Sequence, residues 1–179
     1  MIVGSLLGDH IKGRLRGEFP ASIEEGIRLH RSIDAWTDQH PLVLQSHRRF
    51  DPPFRRFAPL MTDIIFDYFL ANHWSRFHDR PLVAFHDEIF GVLNGHDRYL
   101  PEPAQHWSRQ MQRSLAILRY SQPEFIQRSF NHLSNRLSRA NPLADAYAEF
   151  EAHRESLEHD FLEFFPLALE FVDQWKANR

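Results

Sequence analysis

Apolar residues recur along this chain at intervals of three and four positions, the spacing that places them on one face of a helix. No segment sustains the alternation of apolar and polar residues that is typical of a half-buried strand. Glycine, which disfavours helices, accounts for only 7 of the 179 residues. The pattern therefore predicts an all-α fold. We expect helices near residues 2–16, 22–38, 40–49, 54–76, 81–93, 103–120, 123–138 and 142–176, the last one bent at Pro166.

The chain has the length of one ordinary domain, which buries roughly 70% of its unfolded surface. Its sequence has no repeat, low-complexity tract or linker, so we interpret residues 1–179 as a single-domain, compact helical bundle. Cysteine is absent, which excludes disulfides, a thiolate nucleophile and Cys-ligated metal sites. The early charge of Asp9 argues against a signal peptide, and no apolar run is long enough to span a bilayer. We therefore expect a cytoplasmic protein that does not act at a membrane.

One face of the helix predicted over 22–38 changes from apolar to polar along its length. Ile23 and Ile27 begin it, and His30, Asp34 and Asp38 continue it at intervals of three or four. Charged residues such as Glu24 and Arg28 occupy the flanks. The sequence thus places an imidazole and two carboxylates where core residues are expected.

The helix predicted over 54–76 contains two aspartates in an otherwise apolar stretch, LMTDIIFDYFLANHW. A helix that is apolar nearly all round is usually buried, so we expect Asp63 and Asp67 to lie inside the protein. A buried carboxylate needs a partner, because leaving it unpaired costs several kcal/mol. Tryptophan is also expected in the core, at Trp36, Trp74, Trp107 and Trp175.

Asp9 continues the apolar face of the first helix, and Gly8 and Gly13 near it would allow a backbone or a phosphate to approach closely. Carboxylates and imidazole are ligands that suit Mg²⁺ or Mn²⁺, and histidine favours Mn²⁺ somewhat. Three helices break their apolar pattern in the same way, which favours one shared metal site. The alternative is a set of buried ion pairs, for instance Asp63 or Asp67 with Arg31. The candidate ligands are Asp9, His30, Asp34, Asp38, Asp63 and Asp67.

Charge is unevenly distributed along the second half of the chain. Residues 105–140 carry six arginines against one acid, Glu124, whereas residues 141–179 carry nine acids. Arg109 and Arg113 are four apart and share one helix face, which can steer an acidic partner. Alternatively, these arginines pair internally with the acidic C-terminal helix.

Four segments of the chain resemble the acyl carrier protein phosphodiesterase family. They are GSLLGDHIKG (4–13), LHRSIDAWTDQHP (29–41), DIIFDYFLANHW (63–74) and LEHDFLEFFP (157–166). The first three match in order and spacing as well as in residue type. By position, Asp9 matches the family's G-x-x-x-x-D element. His30, Arg31, Asp34 and Asp38 match H-R-x-I-D-x-x-T-D, and Asp63 and Asp67 match its paired-aspartate helix.

The resemblance implies an all-α fold distantly like that of the HD phosphohydrolases. It also implies Mn²⁺- or Mg²⁺-dependent hydrolysis of holo-acyl carrier protein to the apo-protein and 4′-phosphopantetheine. The expected partner is then the acidic acyl carrier protein, docking on Arg109 and Arg113, rather than a nucleic acid or a membrane. Asp9 is our candidate for a metal ligand or water-orienting base, and Lys12 or Arg31 for neutralising charge on the phosphoryl oxygens.

Family members usually begin with a further segment containing M-N-[FY]-L-A-H, and we expect this segment, with its histidine, to be missing here. Two other functions stay open at this point. The chain could be a phosphohydrolase of a nucleotide or another small phosphodiester, because the motifs do not identify the substrate. It could also be a catalytically silent module that binds acyl carrier protein.

Overall fold

The computed structural model describes residues 1–178, and these residues form helices with no strand among them. The all-α prediction is therefore confirmed. None of the helices in this range combines the length and the apolar character needed to cross a membrane. The α-helices are α1 (Ile2–His10), α2 (Ala21–Thr37), α3 (Pro41–Arg49), α4 (Ala58–Asn72), α5 (Trp74–Phe77), α6 (Leu82–Gly95), α7 (Glu102–Arg113), α8 (Ala116–Arg119), α9 (Pro123–Arg136) and α10 (Ala146–Ala177).

Three of the predicted helices are shorter or more divided than expected. The first ends at His10 instead of residue 16, and Gly13 and Gly17 beyond it have φ angles of 80° and 81°, in the left-handed region. The segment 54–76 is divided into a 3₁₀ turn, α4 and α5. The segment 103–120 is divided between α7 and α8, where Leu115 takes a φ of 51°. Pro166 lies inside α10, and a bend there stays a prediction.

The described chain divides into two compact units, each built from separate stretches of sequence. Unit 1 comprises Met1–Thr37, Arg80–Leu118 and the residues from Glu170 on. Unit 2 comprises Asp38–Asp79 and Arg119–Leu169. The prediction that residues 1–179 form a single domain stays a prediction.

The core of unit 1 forms where α1 packs on α2. Val3 and Leu7 of α1 meet Ile23 and Ile27 of α2, and all four are buried. Helices α6 and α7 complete this core with Phe90, Leu93 and Ala104, which are also buried.

The core of unit 2 is aromatic. Phe69 of α4 lies 5.9 Å, centroid to centroid, from Phe161 of α10 and 6.0 Å from Phe150 of the same helix. Phe130 of α9 and Met61 of α4 are fully buried in the same cluster. Large rings supply much of the apolar area that holds α4, α9 and this part of α10 together.

Asp160 of α10 is a fully buried carboxylate that ties α10 to α3 within unit 2. Arg49 donates to both of its oxygens, over 2.6 and 2.7 Å, and Ser46 and Gln45 donate over 2.9 and 2.7 Å. Burial alone would raise the pKa of Asp160, but the hydrogen bonds from Arg49, Ser46 and Gln45 outweigh it and hold that pKa below its ordinary value. The charge of Asp160 is thus fully compensated inside the unit.

We predict that Asp160→Asn destabilises the protein by about 3 kcal/mol, since it leaves the Arg49 guanidinium without its carboxylate. Urea unfolding at pH 7 measures this. Because the pKa of Asp160 is lower in the folded than in the unfolded protein, its contribution to stability is complete above the unfolded pKa of about 3.9. This contribution is lost as the pH falls from that value through the folded pKa. The difference in the free energy of unfolding between wild type and Asp160→Asn should therefore become smaller as the pH falls below about 3.9.

The matched control is Asp51→Asn, which removes an ion pair with Arg55 in which both side chains are exposed. That change should cost no more than about 0.5 kcal/mol. Equal losses for Asp51→Asn and Asp160→Asn would contradict a special role for the buried carboxylate.

Candidate metal centre

Three side chains of unit 1 converge where the end of α1 lies against α2. One ligand atom each from Asp9, His30 and Asp34 lies within 4.8 Å of the others. The Nε2 atom of His30 is 3.3 Å from Asp9 Oδ1 and 3.1 Å from Asp34 Oδ2. His30 and Asp34 are one helical turn apart, so α2 presents them on the same face. Three of the six candidate ligands therefore lie close together, and their role as metal ligands stays a prediction.

Glycine makes this convergence possible. A Cβ atom added at Gly8 would collide with the imidazole ring of His30, so the ring lies directly on the backbone of α1. Added Cβ atoms at Gly4 and Gly26 would likewise collide with the backbone of the opposite helix. The two helices approach so closely because neither carries a side chain at these positions. Asp9, which follows Gly8, therefore lies next to the imidazole ring of His30.

The donor set fits a hard divalent cation. Two carboxylates and one imidazole offer oxygen and nitrogen ligands, and Mg²⁺ typically takes one or two carboxylates while keeping waters and substrate phosphates in its other positions. The centre is open, since the side chains of Asp9 and Asp34 are 71% and 54% exposed and that of His30 is 22% exposed. An imidazole in the set moves the preference towards Mn²⁺.

Arg31, the neighbour of His30, binds backbone rather than a carboxylate in this structure. Its guanidinium donates to the carbonyl oxygens of Gly13, over 2.8 Å, and of Ile11. These are carbonyls just beyond the end of α1, so Arg31 fixes the path of the chain that leaves Asp9. A direct role of Arg31 in charge neutralisation stays a prediction.

The same loop carries a group of exposed cations. Lys12, Arg14 and Arg16 all point into solvent within eight residues of Asp9. The far end of the loop is fixed where the backbone N–H of Gly17 donates to Glu24 over 2.8 Å. Lys12 is therefore an accessible ammonium close in sequence to the candidate centre, as its predicted role requires, although that role stays a prediction.

Comparison with known proteins identifies the relatives of this chain. Residues 1–168 match the family model described as acyl carrier protein phosphodiesterase. Curated proteins named acyl carrier protein phosphodiesterase match almost the whole chain. The protein of Photorhabdus laumondii is 31% identical over 170 residues, covering 94% of this chain and 86% of its own length. That of Klebsiella pneumoniae is 31% identical over 176 residues, covering 95% and 89%. One from Escherichia coli is 32% identical over 173 residues, covering 93% and 87%.

The chain belongs to the acyl carrier protein phosphodiesterase family. The resemblance drawn from the four motifs is therefore confirmed. No solved structure matches the chain significantly.

The other candidate ligands of this family member lie in unit 2. Asp63 and Asp67 are both exposed, so the prediction that they are buried is wrong. Helix α4 buries the face of Met61, Ile65 and Phe69, and the two aspartates lie on the opposite side. Asp38 follows the end of α2 and is exposed as well. Their participation in one centre with Asp9, His30 and Asp34 stays a prediction.

Asp67 is nevertheless an unusual carboxyl group. Desolvation by the surrounding protein, followed by repulsion from Asp63 one turn earlier, raises the pKa of Asp67 to about 7. A carboxyl group with this pKa is partly protonated at neutral pH, although it still reaches solvent. A nearby cation would favour the charged carboxylate and so lower this pKa.

Sequence reasoning also misplaced Trp107 of this family member. We expected it in the core, but it is 45% exposed on α7. The neighbouring Ala104 and Ser108 are buried and occupy the inner face of the helix, which leaves Trp107 at its edge. No signal in the periodicity distinguishes an edge position of this kind from the core.

We predict that Gly8→Ala weakens Mn²⁺ binding at least tenfold and destabilises the fold by about 1–3 kcal/mol, because the new methyl group displaces the His30 ring from α1. Calorimetric titration with Mn²⁺ and urea unfolding measure the two effects. Gly91→Ala in α6 is the control, since an added Cβ there meets nothing within 4 Å. It should leave Mn²⁺ affinity unchanged and stabilise the helix slightly. Equal Mn²⁺ affinities in both variants would contradict the role given to Gly8.

Proposed function

We propose that this chain hydrolyses holo-acyl carrier protein to the apo-protein and 4′-phosphopantetheine, using Mn²⁺ or Mg²⁺ held by Asp9, His30 and Asp34. The family assignment makes it a phosphoric diester hydrolase, and the curated relatives are named for acyl carrier protein. The observation that carries the proposal is the cluster of three ligand atoms within 4.8 Å at an open surface. These residues also lie in the motifs that carry the family resemblance.

The residues of the centre have separable tasks in this proposal. A bound divalent ion supplies Lewis acidity towards a phosphoryl oxygen and lowers the pKa of a bound water. Asp9 is the most exposed of the three and is best placed to orient that water. The carboxylates of Asp9 and Asp34 lie 3.3 and 3.1 Å from His30 Nε2, so the three groups could hold one ion together. Lys12 places a positive charge near the developing negative charge of the phosphoryl group.

The decisive experiment is incubation of the purified protein with holo-acyl carrier protein and Mn²⁺, followed by intact mass measurement. We expect the carrier protein to lose one phosphopantetheine group, and EDTA to prevent that loss. His30→Ala and Asp34→Asn should each lower the rate at least about 100-fold, since even groups that only support metal ligands typically contribute 10–100-fold. His159→Ala is the matched control, because His159 forms an exposed pair with Glu163 over 3.6 Å and belongs to no such cluster.

Two results would contradict the proposal. Hydrolysis of nucleotides or other small phosphodiesters with no loss from holo-acyl carrier protein would identify a different phosphohydrolase. Binding of the carrier protein with no metal-dependent turnover would identify a silent binding module.

The carrier protein is proposed to dock on α7. Arg109 and Arg113 line one surface hollow of about 560 Å³ together with His106, and both arginines are exposed. The Arg109 guanidinium lies 3.9 Å from Asp97 and donates to Gln105 over 3.2 Å. These contacts of Arg109 are weak and local, and both partners lie near it in sequence rather than on the acidic C-terminal helix. The cationic face is available to an acidic partner.

We predict that Arg109→Glu combined with Arg113→Glu raises KM for holo-acyl carrier protein about tenfold at low salt, with kcat nearly unchanged. Exposed charges act mainly on the association rate, and salt screens them beyond roughly 8 Å at physiological ionic strength. The effect should therefore shrink at high salt. Cleavage of a small phosphodiester analogue should not change.

The control for net charge is Arg128→Glu combined with Arg136→Glu, which reverses two exposed arginines on α9. If electrostatic steering of the carrier protein is local to α7, this double variant should keep KM within about twofold of the wild-type value. Equal increases in KM for both pairs would show that overall charge, and not the α7 face, attracts the carrier protein.

A further inference from the structure

A groove adjoins the candidate metal centre within unit 1. Its volume is about 610 Å³, inside the range of roughly 300–1,000 Å³ that is usual for small-molecule sites. Helices α1, α6 and α7 and the start of α8 form it. Its apolar lining includes Leu6, Phe85, Ile89, Trp107 and Ile117.

Asp9 belongs to both the groove and the metal centre. It is one of the residues lining the groove, and it supplies one of the three converging ligand atoms. The groove and the centre therefore adjoin at Asp9, so a molecule whose phosphate meets Asp9, His30 and Asp34 could extend its next atoms into the groove.

The lining of the groove indicates what kind of chain fits. Leu6, Ile89 and Ile117 give it aliphatic walls, while the polar groups of Ser5 and His10 line the same space. Trp107 also lines the groove and keeps 45% of its surface exposed, so its large ring is accessible to a ligand. A long, mostly aliphatic chain with a few polar groups, attached to a phosphate, satisfies these features together.

We propose that this groove binds the pantetheine arm of the substrate, so that the enzyme recognises the leaving half of the phosphodiester as well as the phosphate. The inference rests on the proposed function, which supplies a phosphate joined to such an arm. The branched dimethyl carbon beside the phosphate would meet the aliphatic walls near Asp9. The amides and the thiol end would extend along the groove towards Trp107.

The test uses pantetheine without its phosphate and without added metal, so that the groove is probed apart from the centre. Calorimetric titration should show saturable binding to the wild-type protein. Trp107→Ala should weaken that binding at least tenfold, and its exposed position allows the change without loss of fold. Val83→Ala is the control, because Val83 is a comparably exposed apolar residue of α6 that does not line the groove.

Ile89→Thr provides a second variant, since it keeps a β-branched side chain while adding a hydroxyl to the groove wall. It should also weaken pantetheine binding, by at least about threefold. Absence of binding to wild type up to about 10 mM would overturn the proposal, as would equal affinities in wild type, Trp107→Ala and Ile89→Thr.

The outcome of this test can be distinguished from the outcome of the test of the proposed function. Pantetheine binding that depends on Trp107, in a protein that does not release phosphopantetheine, would support the groove and refute the hydrolase. If turnover occurs, Trp107→Ala should raise KM for holo-acyl carrier protein and leave kcat nearly unchanged, as expected when binding common to ground and transition states is lost. An unchanged KM would refute the groove while the hydrolase stands.

Discussion

The close contact between α1 and α2 is the constraint on which the candidate centre depends. Gly4, Gly8 and Gly26 allow the two backbones to approach so closely that a Cβ at any of these positions would overlap the other helix. Ordinary side chains would hold the axes about 8–10 Å apart. The close contact of the two helices accompanies the 3.3 Å separation between Asp9 Oδ1 and His30 Nε2. The glycines thus allow the candidate ligands to lie close together, although none of them supplies a side-chain ligand.

The protein uses aspartate in two physically different ways. Asp160 is fully buried and accepts four hydrogen bonds, so its charge serves only to join α3 and α10. Asp9 and Asp34 remain exposed, and each carboxylate lies within 3.3 Å of His30 Nε2. An exposed carboxylate costs little to keep charged and retains lone pairs for another ligand. Exposure to solvent therefore distinguishes the carboxylates that a further ligand can reach from the one that only stabilises the fold.

The helical fold and the shared face of His30 and Asp34 could be predicted from the sequence, because each depends on spacing within a helix. Asp9 is a candidate from its own helix, but its position beside His30 depends on the packing of α1 on α2. The positions of Asp63 and Asp67 could not be predicted from the sequence. Helix α4 is apolar on almost every side, so its periodicity does not identify the face that packs inward. Just beyond the end of α1, the carbonyls of Ile11 and Gly13 accept hydrogen bonds from Arg31, a residue distant in sequence. Contacts of this kind are set by tertiary packing and leave no local pattern.

Helix α7 connects the two kinds of recognition that the proposals assign to unit 1. At 100° per residue, Trp107 and Arg109 point to opposite sides of this helix, and Arg113 lies one turn beyond Arg109. One edge therefore faces the groove beside Asp9, while the other presents cations to solvent. Charge on the outer edge acts before contact and is screened by salt. Apolar burial at Trp107 acts after contact and is not screened by salt. A carrier protein whose arm and acidic surface engage both edges at once would gain specificity that neither edge provides alone.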